Sequence, residues 1–168
     1  MSAKLFISAI LKFALGVLLV GVMLFLPAGT LRWRGGLIFM GILFVPMFIA
    51  GLVMFAKNPA LLKSRLNAKE KLSEQSTIVR LSGLMFIAGF LLAGFDFRFG
   101  WSKLPLGVSI GAGAVFLVGY ALYAEVLREN TYLSRTVKVQ ENQKVIDSGL
   151  YGIVRHPMYA ATLILFMA

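Results

Sequence analysis

The chain contains no cysteine. Disulfides, thiolate nucleophiles and cysteine-ligated metal sites are therefore excluded. His156 is the only histidine among 168 residues. One imidazole and no thiol leave only scattered carboxylates for a metal, so metal catalysis is a poor reading of this chain. Acidic residues are also scarce, seven against seventeen Lys and Arg, giving a formal net charge of +10. Charged residues make up only 14% and gather into a few stretches, while 59% of the chain is hydrophobic and its mean hydropathy is +0.84. That balance excludes an ordinary water-soluble domain and points to a polytopic membrane protein. In a soluble protein the positive charge would suggest nucleic acid. Here it reads as cytoplasmic loops beside anionic lipid, with no nucleic-acid partner.

What the sequence has in quantity is long apolar runs. Leu5 to Leu26 is a 22-residue run broken only by Ser8 and Lys12. About 20 residues span a bilayer as a helix, so this predicts a first transmembrane helix. A cleaved signal peptide is the competing reading, since Leu26-Pro27-Ala28 loosely resembles a cleavage site. The run is longer than the usual ~7–15-residue signal core. A turn over Pro27–Thr30 and an interfacial Trp33 lead into a second span, Gly35 to Ala56, with Pro46 inside it as a source of a kink. Ile78 to Phe95 predicts a third span, the stretch 96–103 an aromatic interfacial loop, and Leu104 to Leu127 a fourth span. In the fourth, Gly107 and Gly111, with Gly113 and Gly119 beyond, stand at a spacing that favours close helix packing within the chain. Gly111-Ala112-Gly113 is not a nucleotide fingerprint, because no strand precedes it and Phe116 takes the place of the third glycine.

Between the spans lie two longer polar segments, 57–77 and 128–157. Asn58-Pro59 is a helix-start pattern, an Asn cap followed by Pro at the first position, and predicts a short surface helix whose basic residues face headgroups. Glu125 and Arg128 are spaced to pair on one helical face. Residues 131–140 alternate β-branched and polar types and read as extended chain or loop. The N-terminal part, the first polar segment with Arg80, and the segment after the fourth span carry thirteen of the Lys and Arg residues. The opposite side carries four: Arg32, Arg34, Arg98 and Lys103. The positive-inside rule then puts the N-terminus and both long polar segments in the cytoplasm. The expected fold class is all-α, a polytopic membrane helical bundle forming one domain over 1–168. It has four full transmembrane helices plus the start of a fifth at 158–168. That last run has 11 residues, about 16 Å of helix against a core of about 30 Å.

The second polar segment ends in Ser148-Gly149-Leu150-Tyr151-Gly152-Ile153-Val154-Arg155-His156-Pro157-Met158-Tyr159. Pro157 fixes its own φ and pushes His156 out of the α region. Proline also suits the first turn of a helix. The expected geometry is an extended Arg155-His156 pair meeting the N-terminus of a helix that begins near Pro157. Free backbone N–H groups there favour an anion such as a carboxylate.

Gly149-x-Tyr151 followed by Arg155-His156-Pro157-x-Tyr159 resembles the signature of the isoprenylcysteine carboxyl methyltransferase family and its bacterial relatives. The run Arg128-Glu129-Asn130-Thr131-Tyr132-Leu133-Ser134-Arg135-Thr136-Val137-Lys138-Val139-Gln140 resembles the segment before that signature. Asn58-Pro59-x-Leu61-Leu62 with Arg65 is similar to a stretch of the bacterial members. The resemblance implies an integral membrane enzyme that uses S-adenosyl-L-methionine and a lipophilic acceptor. The acceptor would be a prenylcysteine carboxylate or another lipophilic carboxyl, amine or hydroxyl. It implies cofactor contacts at Gln140, Gln143, Lys144, Val145, Ile146, Tyr151, His156, Pro157, Met158 and Tyr159, and no named catalytic residue. Eukaryotic members carry a His where Gln143 stands, and many relatives a Gly where Ala161 stands. The family continues past this signature with a helical hairpin and a cytoplasmic segment bearing an Arg and a Glu, so the resemblance implies a C-terminally truncated chain.

Methyl transfer from a sulfonium needs alignment and exclusion of water more than acid–base help, because the donor is already activated. Two other readings stay open. Membrane NADPH-dependent sterol-type reductases have a similar Arg-His-Pro-x-Tyr stretch, with Asn where Met158 stands and more spans. A truncated relative acting only as a membrane scaffold is the non-enzymatic alternative. Without the resemblance, His156 reads as a residue bonding a nearby carbonyl, and Tyr151 and Tyr159 as interface anchors.

Overall fold

The computed structural model describes residues 3–66, 73–130 and 146–168. Seven helices and no strand occur among them: α1 (Ala3–Ala28), α2 (Arg34–Lys57), α3 (Pro59–Leu66), α4 (Ser73–Phe99), α5 (Leu106–Glu129), α6 (Leu150–Ile153) and α7 (Pro157–Met167). The fold is an all-α, multi-pass membrane bundle. Four helices, α1, α2, α4 and α5, are long and apolar enough to cross a bilayer. At 26, 24, 27 and 24 residues, they rise about 36–40 Å, more than the hydrocarbon core of about 30 Å. Their outward faces carry large apolar side chains such as Leu11, Leu18, Ile78 and Leu84, each more than 60% exposed. Lipid, not water, is the solvent that tolerates such a surface.

The four predicted spans are all present; α1, α2 and α4 are longer than their apolar runs, while α5 has the same 24 residues shifted two positions towards the C-terminus. α1 runs through Pro27 to Ala28 where a turn was expected. Pro27 is buried, and Gly29, at φ 70°, closes the helix by donating its N–H to the Phe25 carbonyl at 3.0 Å. α4 takes in both Arg80 and the first half of the expected aromatic loop, ending at Phe99. Gly100 (φ 63°) donates to the Asp96 carbonyl at 2.7 Å, and the Asp96 carboxylate accepts both the Ser102 N–H (2.7 Å) and its hydroxyl (2.6 Å). These bonds give partners to part of the backbone that leaves the helix.

The chain groups into two compact units. The first holds residues 1–48 and 68–104, so it contains α1, the first part of α2, and α4. Its tightest approach is at Gly94 of α4. A Cβ there would come within 2.5 Å of the Leu24 carbonyl oxygen and 3.0 Å of the Pro27 Cβ on α1. Phe13 meets Phe44 edge-on at 5.7 Å and Phe48 at 5.1 Å, while Phe39 meets Phe90 at 6.0 Å. Trp33, expected as an interface anchor, stacks on Phe97 at 4.9 Å and meets Phe25 edge-on at 6.1 Å. Its indole covers Gly36 so closely that a Cβ there would be 2.6 Å from the ring.

The second unit holds residues 49–67 and 105–168. Asn58 caps α3 as predicted: its Oδ1 accepts the Leu61 N–H at 3.0 Å, and Pro59 occupies the first position. Leu61 and Leu62 are buried and Lys63 is exposed. Arg65, expected among the basic residues that face headgroups, is half-buried. α7 returns along α5 in the opposite sense, its start near the end of α5 and its Leu165 against Gly119. A Cβ on Gly119 would lie 2.8 Å from the Leu165 Cγ. Val126 of α5 and Ala161 of α7 are 1% and 0% exposed, so the Ala161 methyl is fully accommodated. Gly107 and Gly111, the pair expected to pack, meet nothing within 4 Å of a Cβ among the described residues. Close packing fell to Gly119 because that is where α7 lies.

Gly94→Ala is expected to destabilise the chain by about 1–3 kcal/mol, because the new methyl meets backbone, which cannot swing away. Gly111→Ala is expected to be neutral or stabilising by up to about 1 kcal/mol, since it enters open space on a helix. Thermal unfolding of the two variants in one detergent checks the contrast. Equal losses would sink this account of the α1–α4 contact.

Candidate functional site

The local fold of the signature follows from Gly149. It sits at φ 56°, ψ −127°, and the Tyr151 N–H donates to the Ser148 carbonyl at 3.1 Å. These are the features of a type II′ turn with glycine at its first central position, a conformation that side chains other than glycine rarely adopt. The turn opens directly into α6. Gly152 donates to the Gly149 carbonyl at 3.2 Å and Val154 to the Leu150 carbonyl at 2.9 Å, after which the chain extends (Val154 φ −130°, ψ 129°).

The turn is fastened to the end of α5. Both oxygens of Glu129 accept the Leu150 N–H, at 3.1 and 3.0 Å. Asn130 donates from Nδ2 to the Tyr151 hydroxyl at 3.0 Å. A Cβ on Gly149 would overlap the Glu129 carboxylate, so glycine is required there both for its φ and for this approach. Glu125 and Arg128, predicted to pair, form a bidentate bridge one turn earlier, Nε to Oε2 at 2.8 Å and Nη2 to Oε1 at 2.5 Å. Arg128 is thereby turned to Glu125 along the helix, and the Leu150 amide falls to Glu129.

Pro157 opens α7 and is buried, as expected for proline at the first helical position. His156 precedes it at φ −132°, outside the α region. The His156 carbonyl accepts N–H groups from Tyr159 (3.1 Å) and Ala160 (3.2 Å). The helix start therefore offers fewer free donors than the sequence implied. Pro157 has no N–H and those of Tyr159 and Ala160 are engaged, which leaves Met158. The His156 and Tyr159 rings lie 5.5 Å apart, tilted by 42°. His156 is exposed, Tyr159 is 70% exposed, and Tyr151, Met158 and Ile146 are half-buried.

The structure thus brings Tyr151, His156, Pro157, Met158 and Tyr159 onto one turn-and-helix segment, with Ile146 just before it. Gln140, Gln143, Lys144 and Val145 lie outside the described residues, as does the 131–140 stretch. Among the described residues no group of three or more His, Asp or Glu side chains is placed to hold a metal ion. Glu129 and Asn130 were not among the predicted site residues. Their signal was positional: both stand in the run that precedes the signature, immediately beyond the fourth span. Comparison with family models, curated proteins and solved structures finds no match.

Glu129→Ala removes the acceptor of the Leu150 N–H and is expected to cost about 1–2 kcal/mol. Gly149→Ala forces a strained φ and pushes the Glu129 carboxylate off that amide, for an expected loss of about 1–3 kcal/mol. The two losses share one contact, so the double variant should lose clearly less than their sum. Thermal unfolding of the three variants tests the coupling, and strict additivity would contradict it.

Proposed function

We propose that this chain is an integral membrane S-adenosylmethionine-dependent methyltransferase acting on a lipophilic acceptor, with the Gly149–Tyr159 segment as its cofactor end. One observation carries the reading. The two stretches that bear the methyltransferase resemblance, the one beginning at Arg128 and the one around Gly149–Tyr159, are tied together through Glu129–Leu150 and Asn130–Tyr151. A constellation of separated residues fastened in this way is a more specific support than an Arg-His-Pro tripeptide alone.

The groups left open suit such a cofactor. The Met158 N–H is a donor at a helix N-terminus and fits a carboxylate. The Tyr151 hydroxyl accepts from Asn130 and keeps its own O–H to donate. The exposed Tyr159 ring fits a sulfonium by cation–π attraction, and His156 beside it can donate or accept according to its tautomer. When bound, S-adenosylmethionine supplies an activated methyl group, so the chain's own work is to orient two partners and exclude water. Glu129 and Asn130 are positioning residues in this reading, since they hold the turn from behind. The Lys and Arg distribution puts the N-terminus and the signature in the cytoplasm, where a water-soluble cofactor reaches the site while the acceptor arrives through the bilayer.

Saturable S-adenosylmethionine binding to the purified chain in nanodiscs is the expected result. It should be weakened about tenfold by His156→Ala or Tyr151→Phe, roughly 1.4 kcal/mol. Saturable NADPH binding in its place would transfer the reading to the reductases, and binding of neither by a folded chain would sink it. The topology has its own check, made simple by the absence of native cysteine. In oriented membranes Asp147→Cys should react with an impermeant maleimide from the cytoplasmic side and Lys103→Cys from the opposite side. The reverse pattern would overturn the orientation.

A further inference from the structure

Arg65 is the seventh residue of α3 and is carried by the helix that Leu61 and Leu62 seat. Its guanidinium carbon lies 5.5 Å from the centre of the Tyr123 ring on α5. Its Nε and Nη2 are buried, and neither has a hydrogen-bond partner among the described residues. These two nitrogens are not an arbitrary pair. Their N–H bonds run parallel along one edge of the guanidinium, the edge that grips a carboxylate or phosphate with two N–H···O bonds. A guanidinium has donors only and no acceptor, so an acceptor has to come from elsewhere. The Tyr123 ring offsets part of the charge from its face, but a ring face accepts no in-plane N–H bond. Among the described residues the result is a charged group whose fork is unmatched. An oxyanion that reached it would displace no hydrogen bond to a described residue at that edge, and would remove the cost of two unmatched donors on a buried cation.

The level of the fork narrows the source of that anion. Tyr123 lies six residues before the end of α5 at Glu129, about 9 Å along the helix. α3 follows the span α2 with only Asn58 between them. Both positions stand at the ends of apolar spans, a level that fits the headgroup edge of the hydrocarbon layer. Lys57 and Lys63, both exposed, add positive charge near by in the chain. We infer that the Nε–Nη2 edge of Arg65, backed by Tyr123, binds the phosphate of an anionic phospholipid. The inference uses none of the residues assigned to the cofactor, although Arg65 belongs to the Asn58–Arg65 stretch that resembles the bacterial members.

The test uses the full chain in a neutral detergent, titrated with dioleoylphosphatidylglycerol and read by native mass spectrometry. Dioleoylglycerol, with the same tails and no phosphate, and inorganic phosphate serve as separate arms. The expected result is one saturably retained phosphatidylglycerol per chain, with neither control replacing it at the same concentration. Arg65→Gln should weaken retention at least tenfold. Arg65→Lys, which keeps the charge and most of the stem and so guards against misfolding, should weaken it nearly as much because an ammonium has no fork. Lys63→Gln should change it less than twofold. Unchanged retention in Arg65→Gln, or full affinity in Arg65→Lys, would overturn the site. Displacement of the lipid by equimolar inorganic phosphate would overturn the assignment to a lipid.

Discussion

In hydrocarbon no water is available for a backbone N–H or carbonyl, and each one left unpaired costs several kcal/mol. The arrangement of this chain follows from that constraint. It makes helices of every long apolar run, and it makes the points where helices stop the places where specific side chains matter. Gly29 closes α1, Asp96 and Gly100 close α4, and Asn58 opens α3. Each is a local answer to the same question of where the terminal backbone groups find partners.

The candidate site is one more such answer, with chemistry added. The chain leaves α5 at Glu129 and Asn130 and comes back at Leu150, where those two side chains take the first amide of α6 and the next tyrosine hydroxyl. A carboxylate accepting an N–H is among the stronger hydrogen bonds available, and it fixes where α7 begins. Once α7 begins beside the end of α5, its apolar residues run back along that helix, and Gly119, Val126 and Ala161 let the two approach closely. The exposed His156 and Tyr159 are then held on a rigid base while facing outward.

Most of the fold was legible before any coordinates. The spans are set by runs of about twenty apolar residues, and Asn58-Pro59 announced α3. The helix ends were less legible: α4 continues to Phe99 through polar and aromatic residues that read as a loop, because the Asp96–Ser102 bonds that end it form only once the chain has turned. At the site, Pro157 and the single histidine marked the place, and Glu125–Arg128 was visible as an i, i+3 pair. Glu129 was hidden, since nothing local shows that its partner is an amide 21 residues on. The two unmatched donors of Arg65 were equally hidden, because sequence shows a basic residue among other basic residues and not the ring of Tyr123 beneath it.

By itself, then, the sequence determined that the chain lies in a membrane, that it is helical, and where its helices run, because hydrophobic length and backbone satisfaction are properties of contiguous residues. Tertiary structure alone decided which glycine makes the close contact, Gly119 and not Gly107 or Gly111. It decided which carboxylate clamps the signature turn, and which arginine lies over a tyrosine ring with two donors unmatched among the described residues. Those outcomes depend on where a distant segment comes to rest, and the physical reason is the same for each: a hydrogen bond or a methyl-sized gap has a value only when its other half is in place.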